Sequence, residues 1–470
     1  MDGLNKFKDK KIHFIGIGGI SMSAIANFLL DYDINVTGSD LSYNNKIKEL
    51  ESRGVMINIE HDEENVKSAD IIVISSAIPD ENPELTYARD NNIKVFKRAE
   101  MLAEIAKDKR LIAVSGSHGK TTTTGMLTSI FLQSDRDPSI MIGGDIDLIA
   151  GNYKSGEGEF FITEADESDG SLLYFDPDIS IVTNIEPEHL DYYGGEEDLY
   201  DTMYEFIKKT GESGIILCLE DEGVNTNLIK SRLNKDGALE FTGYGLTNGD
   251  YRADIIKNNN FFTSYNLFYQ GEFIDKIEMQ LTGEHNVLNS LAAIAAARKA
   301  GLDWNDIIDG LFNFKGVKRR FEFKGEVNSI KFIDDYAHHP SELETVIKSA
   351  KNLKSNKIRF VFQPHRYTRT RDLWNDFKEV LSDRDVFYYI VDIYSANQPK
   401  IDNISSKKLV AEIKSNEPDV KIEYIGSIDE ATNKLKKIIE EDNLFLTVGA
   451  GDVYKIGDRI LKSLRSEQNA

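Results

Sequence analysis

The 470-residue chain holds one cysteine, Cys218, which excludes an internal disulfide and leads us to expect a reducing compartment. It is also short of positive charge. Its 56 lysines and arginines stand against 79 aspartates and glutamates, a formal net charge of -23, and both nucleic acid and an anionic membrane would repel such a chain. Any anionic ligand must therefore meet local basic residues. Long apolar runs are missing as well, since no stretch approaches the ~20 uninterrupted apolar residues that a spanning helix needs. The basic "KFKDKK" followed by "IHFIGIGGISMSAIANFLL" imitates a signal peptide or anchor, but glycines, a histidine and serines interrupt it, and it runs on into the turn and strand of "DYDINVTGSD". No membrane insertion and a cytoplasmic location are expected. There is no repeat at a solenoid period, no low-complexity tract and no long linker. With 29% charged and 40% hydrophobic residues, what remains is an ordinary globular chain, long enough for about two to four domains.

The most informative stretch is "LIAVSGSHGKTTTTGM", residues 111–126. Leu111 to Val114 suit a buried strand, and from Thr121 onward the apolar spacing suits a helix. In the turn between them, Gly116 and Gly119 let main-chain N–H groups converge on an anion. The helix start adds partial positive charge and Lys120 a full one, so the stretch reads as a phosphate cradle. Val114 stands where the strict P-loop spelling wants its first glycine. The competing reading is a plain glycine turn with a solvated lysine.

A second glycine turn lies upstream. Residues 11–40 read as strand, turn, helix and second strand, the layout of a Rossmann-type unit. Gly16 and Gly18 fit the dinucleotide fingerprint, while Ser21 takes the third glycine position and Gly19 is extra. That signal alone leaves a nicotinamide-dependent oxidoreductase open. The organisation expected is α/β in three domains: a Rossmann-like domain over 1–107, a P-loop-type central domain over 108–314 with a β-rich passage near 238–282, and a Rossmann-like domain over 315–470.

Candidate chemistry gathers at expected strand ends, where open α/β sheets bind ligands. "FFITEADESDGS" places Glu164, Asp166, Glu167 and Asp169 there, and "SIVTNIEPEHLDYYG" places Glu186, Glu188, His189 and Asp191. Carboxylates beside a phosphate cradle suit Mg²⁺, although a solvated acidic loop is the plain alternative. "GVKRRFEF" and "FQPHRYTRTRDL" supply Lys318, Arg319, Arg320, His365, Arg366, Arg369 and Arg371, and "IDDYAHHPSE" supplies Asp334, Asp335, His338 and His339. Arginine forks bind carboxylate or phosphate, and Arg366 and Arg369 would share a face if a helix begins there. Surface arginines paired with nearby acids remain the alternative.

Taken in order, "GSHGKTTTT", "TEADESDGS", "NIEPEHLDYYG", "GEHNVLNSLAA", "GVKRRF", "DDYAHHPSE" and "FQPHRYTRTRDL" resemble the Mur ligase family over essentially the whole chain. The last two spellings resemble the branch that adds L-alanine to UDP-N-acetylmuramic acid. The resemblance implies an ATP-dependent amide-forming ligase working through an acyl phosphate. It implies that Gly116, Ser117, His118, Gly119, Lys120, Thr121 and Thr122 hold the ATP phosphates, with Asn286, Asn289, Arg320 and Asp335 as further nucleotide contacts. It implies Mg²⁺ on Thr121, Glu164 and His189, and a catalytic set of Lys120, Glu164, His189, Arg320 and Asp335. Gly18, Gly19, Asp40 and Ser76 would carry the UDP-sugar, and His338, His365, Arg366 and Arg369 the acceptor amino acid. Sister ligases carry a CO₂-modified lysine fifteen residues after the His189 position, where this chain has Tyr204. A monomer or weak homodimer is expected. A recycling ligase of the same superfamily and a non-catalytic nucleotide switch stay open beside the oxidoreductase.

Overall fold

A computed structural model describes residues 2–187, 190–211, 213–220, 229, 231–232, 240–259, 262–353, 355–396, 398–439 and 443–468. It divides into two units, Met1–Gly316 and Val317–Ala470. Three sheets carry the fold, two in the first unit and one in the second.

The first sheet is five parallel strands in the spatial order Met56–Ile59, Asn35–Asp40, Lys11–Ile15, Ile71–Ile74, Lys94–Lys97. The chain winds one way from Lys11–Ile15 and then the other, so a crevice opens at the carboxyl ends of Lys11–Ile15 and Ile71–Ile74. The expected strand, turn and helix are Lys11–Ile15, the glycine turn and Ile20–Asp31. Helix Pro83–Asp90 starts where Asn82 accepts from the N–H groups of Glu84 and Leu85, with Pro83 in the first turn where no N–H is needed.

The second sheet has ten strands, and its centre sets Arg110–Ser115 between Ile179–Val182 and Phe160–Glu164, all parallel. The loops after these three strands therefore emerge side by side. The β-rich passage is built as Phe241–Gly245 and the antiparallel strands Tyr251–Asn259, Phe262–Tyr269 and Glu272–Met279. Helix Lys120–Gln133 packs against Trp304–Asn313 so closely that Ser129 donates to the Gly310 carbonyl at 2.6 Å, and a Cβ on Gly310 would fall 2.4 Å from the Ile130 Cα. The first two sheets share one core, in which the Phe28 and Phe161 rings lie 5.7 Å apart.

Unit Val317–Ala470 is a six-stranded sheet in the order Glu322–Val327, Ile330–Asp335, Asn443–Val448, Lys357–Phe362, Val386–Ile390, Ile422–Tyr424. Only the first pair is antiparallel. Asp335 and the loop before His365 stand at the carboxyl ends of Ile330–Asp335 and Lys357–Phe362. Among the described residues no helix is long and apolar enough to cross a membrane.

Candidate active site

The central glycine loop leaves strand Arg110–Ser115 through Gly116, at φ 129°, and enters helix Lys120–Gln133 from Gly119, at φ 86°. Both values lie in the left-handed region that glycine tolerates. There is also no room for a side chain, since a Cβ on Gly116 would lie 2.2 Å from Thr183 Oγ1 and one on Gly119 2.4 Å from Asn289 Oδ1. The neighbouring strand end pins the loop: Ser117 N donates to the Asn184 carbonyl at 3.2 Å, His118 N to Asn184 Oδ1 at 2.8 Å, and Glu186 N to Ser117 Oγ at 2.9 Å. His118 and Glu186 side chains approach to 3.3 Å. Thr122 begins the helix with Lys120 and Thr121. Asn289 and Asn286, from helix Glu284–Lys299, stand together at 3.4 Å beside Gly119.

Thr121 Oγ1 donates to Glu164 Oε2 at 3.1 Å, and Glu164 Oε1 accepts from Gly143 N at 2.6 Å. Mg²⁺ takes oxygen ligands and is commonly held by one or two carboxylates plus substrate phosphates, so a hydroxyl and a carboxylate converging at a phosphate cradle fit it. Among the described residues no group of three or more histidine, cysteine or acidic side chains forms a protein-built cage. His189 and Glu188 lie outside the described residues. Lys120 Nζ donates to both oxygens of Glu167, at 2.8 and 2.7 Å. Burial pushes the Glu167 carboxyl up and the Lys120 charge pulls it back.

In the first sheet, Gly16 sits at φ 82° and Gly18 N donates to Asp40 Oδ2 at 2.9 Å. Asn44 Nδ2 donates to the Gly18 carbonyl at 3.1 Å, and Gly19 caps the following helix. Gly16 faces the turn after Ile71–Ile74, where Ser75 Oγ accepts from Ala77 N and Ser76 is exposed. Behind Asp40 lies a buried polar group. Glu84 accepts from Ser39 Oγ at 2.6 Å and Asn65 Nδ2 at 2.6 Å, and lies 3.1 Å from His61 Nδ1; His13 Nδ1 is 3.0 Å from Thr37 Oγ1. Burial lowers His13 to about 4, so its ring is neutral at pH 7. Hairpin Ser139–Ile146 and Gly151–Lys154 reaches this helix, with Asn152 Nδ2 donating to the Ile20 carbonyl at 3.3 Å.

In the other unit, His338, His365, Arg366 and Arg369 come together. Arg369 N–H donates to His365 Nδ1 at 3.2 Å, the His365 ring stacks on Tyr394 at 5.6 Å with 9° between planes, and His338 meets His365 edge-on at 5.8 Å. Burial, then the charges of His338, Arg369 and Arg366, lower His365 to about 4. Burial, then the charge of Arg366, also lower Arg369, and the Glu342 carboxylate, 3.4 Å from His338, opposes them. The helix begins one residue later than a shared Arg366–Arg369 face requires, at Tyr367; Arg366 is its N-cap at φ 69°, and its N–H donates to the Tyr394 carbonyl. Asp335 accepts from Phe321 N and Ala337 N, each at 2.7 Å, which fixes the turn that carries Arg320. Burial pushes this carboxyl up, and the Arg320 charge opposes it. Next to it, Arg319 donates to Asp334 at 3.0 Å between the rings of Tyr336 and Tyr454, and burial still pushes Asp334 up to about 6.

Sequence reading alone missed four contributors: Asn184, the Glu167 contact to Lys120, Tyr394 and Asn152. Asn184 was findable, since it stands at a strand end within a quoted motif. The other three depend on pairings that no local pattern announces.

Three family models match successive segments: the catalytic domain of the Mur ligase family over residues 11–110, the Mur ligase middle domain over 114–297, and the Mur ligase glutamate ligase domain over 319–451. The UDP-N-acetylmuramate–L-alanine ligase of Clostridium acetobutylicum is 42% identical over 455 residues, covering 96% of this chain and 97% of that protein. The protein of the same name from Geotalea daltonii is 42% identical over 462 residues, covering 97% and 99%. Among solved structures, UDP-N-acetylmuramate–alanine ligase from Thermotoga maritima superposes with a TM-score of 0.80 at 28% identity, over 97% of this chain and all of that one. A murein peptide ligase from Psychrobacter arcticus shares the fold, with a TM-score of 0.69 at 22% identity over 97% and 98%. Fold, motif order and these likenesses over nearly the whole length agree: the chain belongs to the Mur ligase family.

Proposed function

We propose that the protein joins L-alanine to the carboxylate of UDP-N-acetylmuramic acid at the expense of ATP, a step of peptidoglycan synthesis. The observation that carries this reading is the 42% identity, over nearly the full length, to two UDP-N-acetylmuramate–L-alanine ligases. A muramoyl carboxylate oxygen attacks the γ-phosphorus of ATP, the bond to the β-phosphate oxygen breaks, and ADP leaves. The alanine nitrogen then attacks the acyl carbon, the bond to phosphate breaks, and the amine gives up a proton.

Within this reading the loop Gly116 to Thr122 grips the phosphates, Lys120 offsets their charge, and Asn286 and Asn289 contact the nucleotide. Mg²⁺, held by Thr121, Glu164 and His189, would supply further neutralisation of phosphate charge. Arg320 and Asp335 are assigned to the nucleotide by family resemblance alone. Gly18, Gly19, Asp40 and Ser76 receive the UDP-sugar, where a glycine turn at a helix start suits a diphosphate. The crowded cations Arg366 and Arg369 suit the alanine carboxylate, with His338 and His365 lining the same pocket. The domain limits 107/108 and 314/315, and a cytoplasmic location where both nucleotides are available, belong to the same proposal.

The test is phosphate release with ATP, Mg²⁺, UDP-N-acetylmuramic acid and L-alanine, each omitted in turn, followed by a panel of amino acids and of acceptors lacking UDP. Release that depends on all four components and is fastest with L-alanine is expected. Preference for a free muropeptide acceptor would move the protein to the recycling ligases.

A further inference from the structure

Lys120 is surrounded by more acceptors than it has protons to give. Besides both Glu167 oxygens, its ammonium lies 2.5 Å from the Gly116 carbonyl and 3.3 Å from that of Ser117, four acceptors for three N–H groups. The Glu167 side chain is 3% exposed and that of Lys120 16%. Glu167 is held in place from its main chain, whose carbonyl accepts from Gly170 N at 3.2 Å and from the Tyr193 hydroxyl. The acid is therefore the fixed partner and the lysine, on four methylenes, the adjustable one. A triphosphate drawing on Lys120 must take an N–H from this set, and it meets a cation already half-neutralised by a buried carboxylate.

We infer that Glu167 is the positioning residue of Lys120: it holds the ammonium over the loop carbonyls, in the place phosphoryl transfer needs it, and its charge weakens the lysine's grip on the bound triphosphate. A lysine freed from this anchor would bind phosphate more tightly but in a less productive position, and only interactions made in the transition state raise kcat. This inference rests on the reading of the Gly116–Thr122 loop as an ATP site. Removing the charge but not the shape, in Glu167→Gln, should separate binding from chemistry in opposite directions. The affinity for ADP and for a non-hydrolysable ATP analogue with Mg²⁺, measured by calorimetry, should rise ~3- to 10-fold, while kcat falls ~10- to 100-fold. Glu167→Asp keeps the charge at shorter reach, and should leave nucleotide affinity near the parent value while restoring part of kcat.

A merely structural role predicts something else, namely a lower melting temperature with weaker binding or a smaller active fraction. The inference is overturned if nucleotide affinity does not rise in Glu167→Gln, if kcat does not fall, or if neither variant folds. A parent protein that binds no adenine nucleotide would instead sink the ligase reading itself, so the two failures are distinct.

Discussion

Unit Met1–Gly316 and unit Val317–Ala470 build their candidate sites from different parts of the chain. The first uses main chain: two strand–turn–helix elements in which Gly16, Gly116 and Gly119 adopt positive φ, and where a Cβ on Gly116 or Gly119 would collide with a neighbouring side chain. The second uses side chains, setting Arg366, Arg369, His338 and His365 around a ring stack with Tyr394. The difference follows from the ligands proposed. A phosphate chain presents many oxygens and is matched by rows of N–H groups and one mobile cation, whereas a single carboxylate is matched by a guanidinium fork. Within the first unit the two turns also differ. The upstream turn has no lysine, and one of its N–H groups already donates to Asp40.

Substitutions should break the two kinds of site in different ways. Lys120→Ala removes the lysine charge of the Gly116–Thr122 loop and should lower kcat for both phosphate release and amide formation by ~10³-fold or more, with the fold intact by circular dichroism. Gly119→Ala forces a Cβ to 2.4 Å from Asn289 Oδ1 at φ 86°, and should cut kcat/KM for ATP by ~10²-fold. Gly18→Ala is the milder counterpart: φ is ordinary there and the nearest atoms, Asn44 Nδ2 at 2.7 Å and Asp40 Oδ2 at 2.9 Å, belong to side chains, so a several-fold rise in KM for the UDP-sugar alone is expected. In the other unit, Arg366→Ala should raise KM for L-alanine ~10- to 100-fold with KM for ATP unchanged. Unaltered alanine dependence would remove Arg366 from the acceptor site.

The main-chain sites were the more legible in sequence. Glycine spacing, the Lys-Thr pair and the apolar runs before them announce a turn whose conformation only glycine allows. Strand ends also located Glu164 and the histidine–arginine group, because parallel topology sends consecutive loops to one edge. What stayed hidden was the pairing of distant side chains. Glu167 was visible as part of an acidic run, but nothing local says that it, rather than Asp166 or Asp169, meets Lys120. The group of His13, Ser39, His61 and Glu84 draws on four separate segments, each of which reads alone as an ordinary strand or loop. Edge strands were likewise illegible: Met56–Ile59 is largely exposed and Ile422–Tyr424 has three residues, so neither carries a periodic pattern.

The smallest expected effect separates two histidines that burial, above all, lowers to about 4, with neighbouring charges weighing differently on each. Burial lowers His13, the Glu84 charge opposes it, the weaker charges of Lys11 and His61 add to it, and the side chain is 1% exposed. His365 is partly exposed, and the charges of His338, Arg369 and Arg366 add to the effect of burial. Salt screens interactions between accessible charges far more than it alters burial. In a ring-proton NMR titration, raising the salt from ~0.05 to ~0.5 M should move His365 upward by a few tenths of a unit and leave His13 in place. Both rings also bear on stability. Between an unfolded value of 6.5 and about 4 the unfolded chain binds a proton that the native ring refuses, so stability is complete above pH 6.5 and is lost as the pH falls toward 4. For His13 the loss should be on the order of 2–3 kcal/mol at pH 4, and His13→Gln should flatten the dependence on pH over that window by about one proton. A His13 resonance that followed salt as His365 does would show that charge, and not burial, sets its state, and the contrast between the buried interior of one unit and the crowded cations of the other would fail.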